Sequence, residues 1–106
     1  MNKDALLNML ASGRDNAMLR LSLGTLYLND GEPASAVEHL RKAIEIDPAY
    51  SAAYKLLGKA LLQHGRTDDA EAAWRDGLAV AERRGDMQTV REITVFLKRI
   101  DKARSG

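Results

Sequence analysis

Thirty-four residues separate Leu23-Gly24 from Leu57-Gly58, Gly31 from Gly65, and Ala36 from Ala70. At the same offset Leu40 is answered by Trp74 and Ala43 by Gly77. An internal period of this length marks stacked helical hairpins, in which each unit buries its apolar side only against its neighbours. The period constrains architecture closely and biochemistry hardly at all. It indicates an interaction scaffold without naming the molecule bound.

Length and charge narrow the class further. A chain of 106 residues has room for one domain, expected to span 1–106, with one elongated core. The net charge of +1, from 16 basic and 15 acidic side chains, supplies no global field for nucleic acid or anionic membrane. The absence of Cys excludes disulfides, thiolate-ligated zinc and cysteine nucleophiles, and fits a reducing compartment. Near the amino terminus, Ala5-Leu6-Leu7 and Met9-Leu10 are split by Asn8 and preceded by Lys3 and Asp4. That run is too short and too polar for a signal peptide, and nothing approaches a transmembrane span. A cytoplasmic location is the expectation.

The spacing of apolar residues predicts six helices, and the chain lacks the β-branched clusters suited to strands. A short first helix covers 3–11 and ends by Gly13. The next covers 16–29, with Asp15 as N-cap and Leu19, Leu23, Leu26 and Tyr27 on one face. Gly31 stops it, and Pro33 starts a helix over 33–46 with an inner stripe of Ala36, Val37, Leu40, Ala43 and Ile44. Asp47-Pro48 closes that helix, because the residue before proline is pushed away from helical angles. A helix over 49–64 turns Tyr54, Leu57 and Leu61 inward and ends at Gly65. Thr67 is the expected N-cap of the following helix, which carries Ala70, Ala73, Trp74 and Leu78. With no proline to end it, that helix runs on to Arg84 and Gly85. The last helix, 87–103, starts after Asp86 and buries Val90, Ile93, Leu97 and Ile100, with Phe96 at its edge. The charged 101–106 tail is expected to fray.

These residues resemble the tetratricopeptide repeat, whose unit has the same length as the period found here. Unit 17–50 carries Leu23-Gly24, Tyr27, Ala36, Leu40, Ala43 and Pro48, departing at the first large position, Arg20. Unit 51–84 carries Tyr54, Leu57-Gly58, Leu61, Ala70, Trp74 and Gly77, departing where Glu82 replaces the closing proline. Together they cover 68 of 106 residues. The resemblance implies an all-α fold, a right-handed superhelical stack of antiparallel helical hairpins, flanked by a short N-terminal helix and a C-terminal capping helix over 87–103. Gly24 and Gly58 would lie at helix crossings, facing Ala36 and Ala70. Gly77, inside a helix at a cost of about 1 kcal/mol relative to Ala, suggests a close contact with the next helix. Without the proline, the last helix fits the repeat pattern only after a shift of two residues.

No motif for catalysis emerges, and the chain is read as non-enzymatic, without cofactor or metal. His39 and His64 lie on different helices without His or Cys partners at ligand spacing, and are read as solvated surface histidines. Asp68, Asp69 and Glu71 are explained by the positive end of a helix dipole. Ser12, Ser22, Ser35 and Ser51 have no neighbouring base in a nucleophile motif, and the single glycines form no phosphate loop. Trp74 is read as a core anchor. From Glu82 to Gly106 seven Lys or Arg against four acids give a local excess of +3. A solvated cap is the reading adopted; without interleaved aromatics, nucleic-acid contact is the minor alternative.

The resemblance also implies a site, since the first helices of such repeats line a concave groove that receives a peptide. By position, unit 17–50 presents Met18, Leu21, Ser22, Thr25 and Leu28, and unit 51–84 presents Lys55, Lys59 and Leu62. The shifted last helix adds Arg91, Val95 and Lys98. Such a groove is apolar at one end and basic at the other, suited to an unidentified protein or peptide with apolar and acidic residues. Leu21 and Thr25 replace the first polar groups of the family's clamp for a terminal carboxylate. A homo-oligomer through exposed repeat ends is the structural alternative.

Overall fold

The computed structural model describes residues 2–106; Met1, within the expected 1–106 domain, lies outside the described residues. Six helices follow one another: α1 (Lys3–Ala11), α2 (Ala17–Asn29), α3 (Pro33–Ile46), α4 (Ser51–Gln63), α5 (Thr67–Arg84) and α6 (Met87–Ser105). There is no strand among the described residues. Each helix packs on the next, and the stack extends 47 × 29 × 20 Å. α2 approaches α4 and α4 approaches α6, whereas α3 and α5 stand apart. The row α2–α4–α6 is therefore the inner curve of the stack.

The period continues one helix further back than the repeat pattern alone suggests. Leu6 of α1 stands one period before Leu40, which stands one period before Trp74. All three are almost wholly buried. Leu6 and Leu23 belong to one buried cluster, and Leu40 and Leu57, each one period on, belong to the next. α1 thus takes the seat of a second helix of the repeat. Lys3 fixes it by bonding Asp30 at 2.8 Å and Glu32 at 3.0 Å, and by covering the Tyr27 ring.

Several helix ends differ from expectation, each for a local reason. Asn16, not Asp15, caps α2 by accepting from the Leu19 N–H; Asp15 instead grips Arg20 through both oxygens at 2.8 and 2.9 Å. α4 starts at Ser51, because the Ala49 N–H is drawn to the Asp47 side chain. Thr67 is the first helical residue of α5 and not its cap; Arg66 occupies the cap position and pairs with Asp69. Gly85, with φ of +70°, gives α5 its left-handed stop. The terminal segment does not fray from Asp101 but remains helical to Ser105. Arg104 anchors it to α5 through Glu71 at 2.8 Å and through Asp68.

Asp86 is the expected cap of α6. One oxygen accepts from the Thr89 N–H at 3.2 Å, the other from the Ser51 hydroxyl at 2.7 Å, so the starts of α4 and α6 are tied together. Replacing Asp86 by Ala is expected to cost about 1 kcal/mol. A thermal melt followed by circular dichroism should show a fall of about 4–8 °C.

The glycines at the crossings face larger partners than expected. A Cβ on Gly24 would meet Leu40, and one on Gly58 would meet the Trp74 indole, rather than Ala36 and Ala70. Gly77 touches the next helix at Ile93, but its tightest neighbour is Tyr54 on α4. The core runs through these crossings, from Ala36 and Leu40 through Leu57, Leu61 and Trp74 to Ile93, Leu97 and Ile100.

Candidate functional site: the inner cleft

A cleft of about 470 Å³ opens on the inner curve. The last turn of α2 contributes Leu28 and Asn29, and α4 contributes Lys59, Leu62 and Gln63. Phe96 and Arg99 come from α6, and Trp74 reaches through from α5. The floor is aromatic: Trp74 and Phe96 lie with ring centroids 5.0 Å apart, tilted by 32°. The Trp74 indole N–H donates to the Lys55 carbonyl at 3.0 Å, which fixes the ring edge against α4. Trp74 is the expected core anchor, yet one edge of it also lines the cleft.

Two cations stand over this floor. Lys59 Nζ is 5.3 Å and Arg99 Cζ 6.0 Å from the centre of the Phe96 ring. Neither forms an ion pair among the described residues. Lys55, one turn before Lys59, differs: its ammonium is spent on Glu92 of α6 at 3.2 Å.

Apart from Lys55, the residues assigned to the groove from sequence fall into four places. Leu28, Lys59 and Leu62 line the cleft. Leu21, Ser22 and Thr25 instead line a smaller hollow of about 240 Å³ with Leu6 and Leu26, where α1 meets α2. Met18 is 71% exposed at the start of α2. Arg91, Val95 and Lys98 are exposed on α6, each one residue before Glu92, Phe96 and Arg99, which face α4. The shift of two residues matches the buried stripe of Ile93 and Leu97, but one residue turns a helix by about 100°. Asn29, Gln63, Trp74, Phe96 and Arg99 are the lining residues that the pattern misses. The aromatic edge position of Phe96 is the available signal.

His39 is not a surface histidine. It is buried, its ring stacks on Tyr27 at 5.3 Å and 6°, and Arg20 lies 3.0 Å from Nδ1. A guanidinium only donates, so Nδ1 accepts and the ring is neutral, with its proton on Nε2. His64 is exposed. Burial, and then the Arg20 charge, push the His39 pKa below its ordinary 6.5. The carboxyls of Asp15, Glu71 and Asp86 are likewise held low, chiefly by hydrogen bonds from Arg20, Arg104 and Thr89.

A pH dependence follows. A lowered folded pKa gives stability that is complete above the unfolded value and lost as pH falls through the folded one. Melting temperature should decline first just below 6.5 as His39 is forced to take a proton. It should decline again in the carboxylate range below about 4. In His39→Phe, which keeps a ring against Tyr27, the first decline should vanish while the second remains. Melts across that pH range check this.

Helical hairpins stacked about a shallow cleft between their first helices define a helical-repeat solenoid. This chain belongs to the tetratricopeptide repeat family, whose profile matches residues 27–91. It is 49% identical over 102 residues to a TPR repeat-containing protein of Pseudomonas aeruginosa, covering 96% of this chain and 97% of that one. A shorter match, 40% identical over 57 residues, relates 52% of this chain to 9% of a chloroplastic PsbB mRNA maturation factor of Chlamydomonas reinhardtii. Among solved structures, a Bordetella parapertussis protein determined in solution superposes with a TM-score of 0.86 at 44% identity, covering 97% of this chain and 90% of that one. The crystal structure of a tetratricopeptide repeat domain protein from Salinibacter ruber gives 0.77 at 25% identity, covering 83% and 98%. A tetratricopeptide fold is in general a protein-interaction scaffold. No helix among the described residues is long and apolar enough to cross a membrane.

Proposed function

We propose that this chain is a non-enzymatic, cytoplasmic module that binds a protein or peptide in its concave groove. The observation carrying this reading is the cleft across α2, α4 and α6, where an aromatic floor meets two unpaired cations. Units 17–50 and 51–84 supply the groove, and α6 both completes it and caps the stack. Titration with acidic-apolar peptides, followed by backbone amide shifts, tests this. Shifts should cluster on Leu28, Lys59, Leu62 and Phe96; shifts confined to α3 and α5 would remove the groove from consideration.

Self-association is a second reading, and one observation favours it. The stack opens on a second-type helix, α1, and closes on a first-type helix, α6. Two copies placed end to end would therefore join α6 and α1 as one hairpin. Such a contact is heterologous and grows unless it closes on itself. Sedimentation at rising concentration should show steadily larger species if it operates, and a constant monomer mass if it does not. Nucleic-acid contact through α6 has less support, because Arg104 is engaged by Glu71 and Asp68.

A further inference from the structure

Resting on the groove as the binding surface, we infer that its cleft recognises an internal acidic side chain placed directly beside a large apolar one in the partner protein. The carboxylate is shared by Lys59 and Arg99, and the apolar side chain lies on Phe96, which packs on the buried Trp74.

Charge is the first reason. Lys59 and Arg99 come from neighbouring helices, both approach the Phe96 ring, and neither is in an ion pair among the described residues. Glu92, the carboxylate on that side of α6, is taken by Lys55. The other polar lining groups, Asn29 and Gln63, are amides that can also donate, and no carboxylate lines the cleft. An anion bound there meets two unpaired cationic donors and no competing carboxylate. Contacts of exposed cations with an aromatic face are weak, so both side chains can turn to a ligand at little cost.

The floor supplies the second half of the motif. Phe96, supported by the buried Trp74, is the apolar ground beside the cations, so the group it seats must lie next to the carboxylate. Position argues for an internal residue over a chain terminus. Lys59 is on the middle helix, with apolar walls on either side, Leu28 of α2 and Phe96 of α6. A peptide ending at Lys59 would leave one wall uncovered, whereas one running through covers both.

Trp74 is the only tryptophan and packs on Phe96, so its emission reports on changes at the cleft. The probe is an acetylated, amidated peptide with a central Leu-Glu pair in a Ser/Gly background. It should perturb Trp74 emission and the cleft amides. Substituting glutamine for its glutamate should weaken binding about tenfold, the loss of one charge-assisted hydrogen bond. Lys59→Glu or Arg99→Glu should abolish the preference for Leu-Glu and favour the Leu-Lys counterpart. Both side chains are exposed, so melting should be unchanged, and this serves as the folding control. Equal binding of the glutamine peptide at the cleft would overturn this specificity and leave the groove reading intact. The specificity falls in the same way if charge reversal has no effect, or if only a peptide with a free terminal carboxylate binds. If no peptide perturbs Trp74 or the cleft amides, both readings fall together.

Discussion

Gly58→Ala should lower the melting temperature by about 10 °C or more, although alanine is the better helix former. The added Cβ would sit 2.0 Å from Trp74 Nε1 and 2.3 Å from Cε2. The indole has no retreat: it is 1% exposed, its N–H is bonded to the Lys55 carbonyl, and Phe96 lies against it. Overpacking of this kind costs about 1–3 kcal/mol and sometimes more. A clash against a rigid ring belongs at the upper end, and the gain of about 1 kcal/mol in helix propensity offsets only part of it. A net loss of about 2 kcal/mol corresponds to the stated fall in a domain of this size. Gly24→Ala is the internal comparison. Its Cβ would meet Leu40 Cγ at 2.5 Å and Cδ2 at 2.6 Å, the tip of a side chain that can rotate away. That variant should melt closer to the parent protein. If Gly58→Ala melts at or above the parent, the crossing is not the tight contact described.

Trp74→Ala should be the most damaging single change. Emptying a buried tryptophan site costs about 3–5 kcal/mol, against a total stability of about 5–15 kcal/mol for an ordinary domain. It also removes the indole's bond to the Lys55 carbonyl, the support of Phe96 and the floor of the cleft. Urea denaturation followed by circular dichroism measures the loss, since the intrinsic fluorophore is gone. Together the two substitutions should be less harmful than their separate losses imply. Without the indole, a Cβ at Gly58 fills space instead of clashing, and residues in direct contact couple by about 0.5–3 kcal/mol. Strict additivity would separate Gly58 from Trp74 energetically and contradict the crossing geometry.

Much of the fold is legible because its signals are local. Gly31, Pro33 and Gly85 punctuate helices through their own backbone restrictions, and the apolar stripes give each helix its buried face. The part-buried Arg20–His39 contact is less legible, though the period points toward it. Arg20 precedes Tyr54, and His39 precedes Ala73, by one full period, so both occupy inward positions of the unit. The isolated spacing of His39 suggests solvent, whereas its repeat position places it beside Tyr27, where a neutral ring can accept from Arg20. The site is legible by halves. Leu28, Lys59 and Leu62 follow from the repeat register, while Lys55 is lost to Glu92, a partner distant in sequence. Arg104 shows the same limit: its sequence neighbours suggest a loose basic tail, but its partners lie at the start of α5.

By itself the sequence determined the period, the six helices and the order in which they stack, since spacing, glycine and proline act within a few residues. Tertiary structure decided which side of α6 meets the groove and which cations remain unpaired. The reason is rotational. A helix can turn about its axis by the roughly 100° that separates one residue from the next without changing its own hydrogen bonds. Packing fixes that angle, here with Ile93 against Gly77 and Phe96 against Trp74. That angle puts Glu92 opposite Lys55, and Phe96 and Arg99 at the cleft, leaving Lys59 and Arg99 as its free charges.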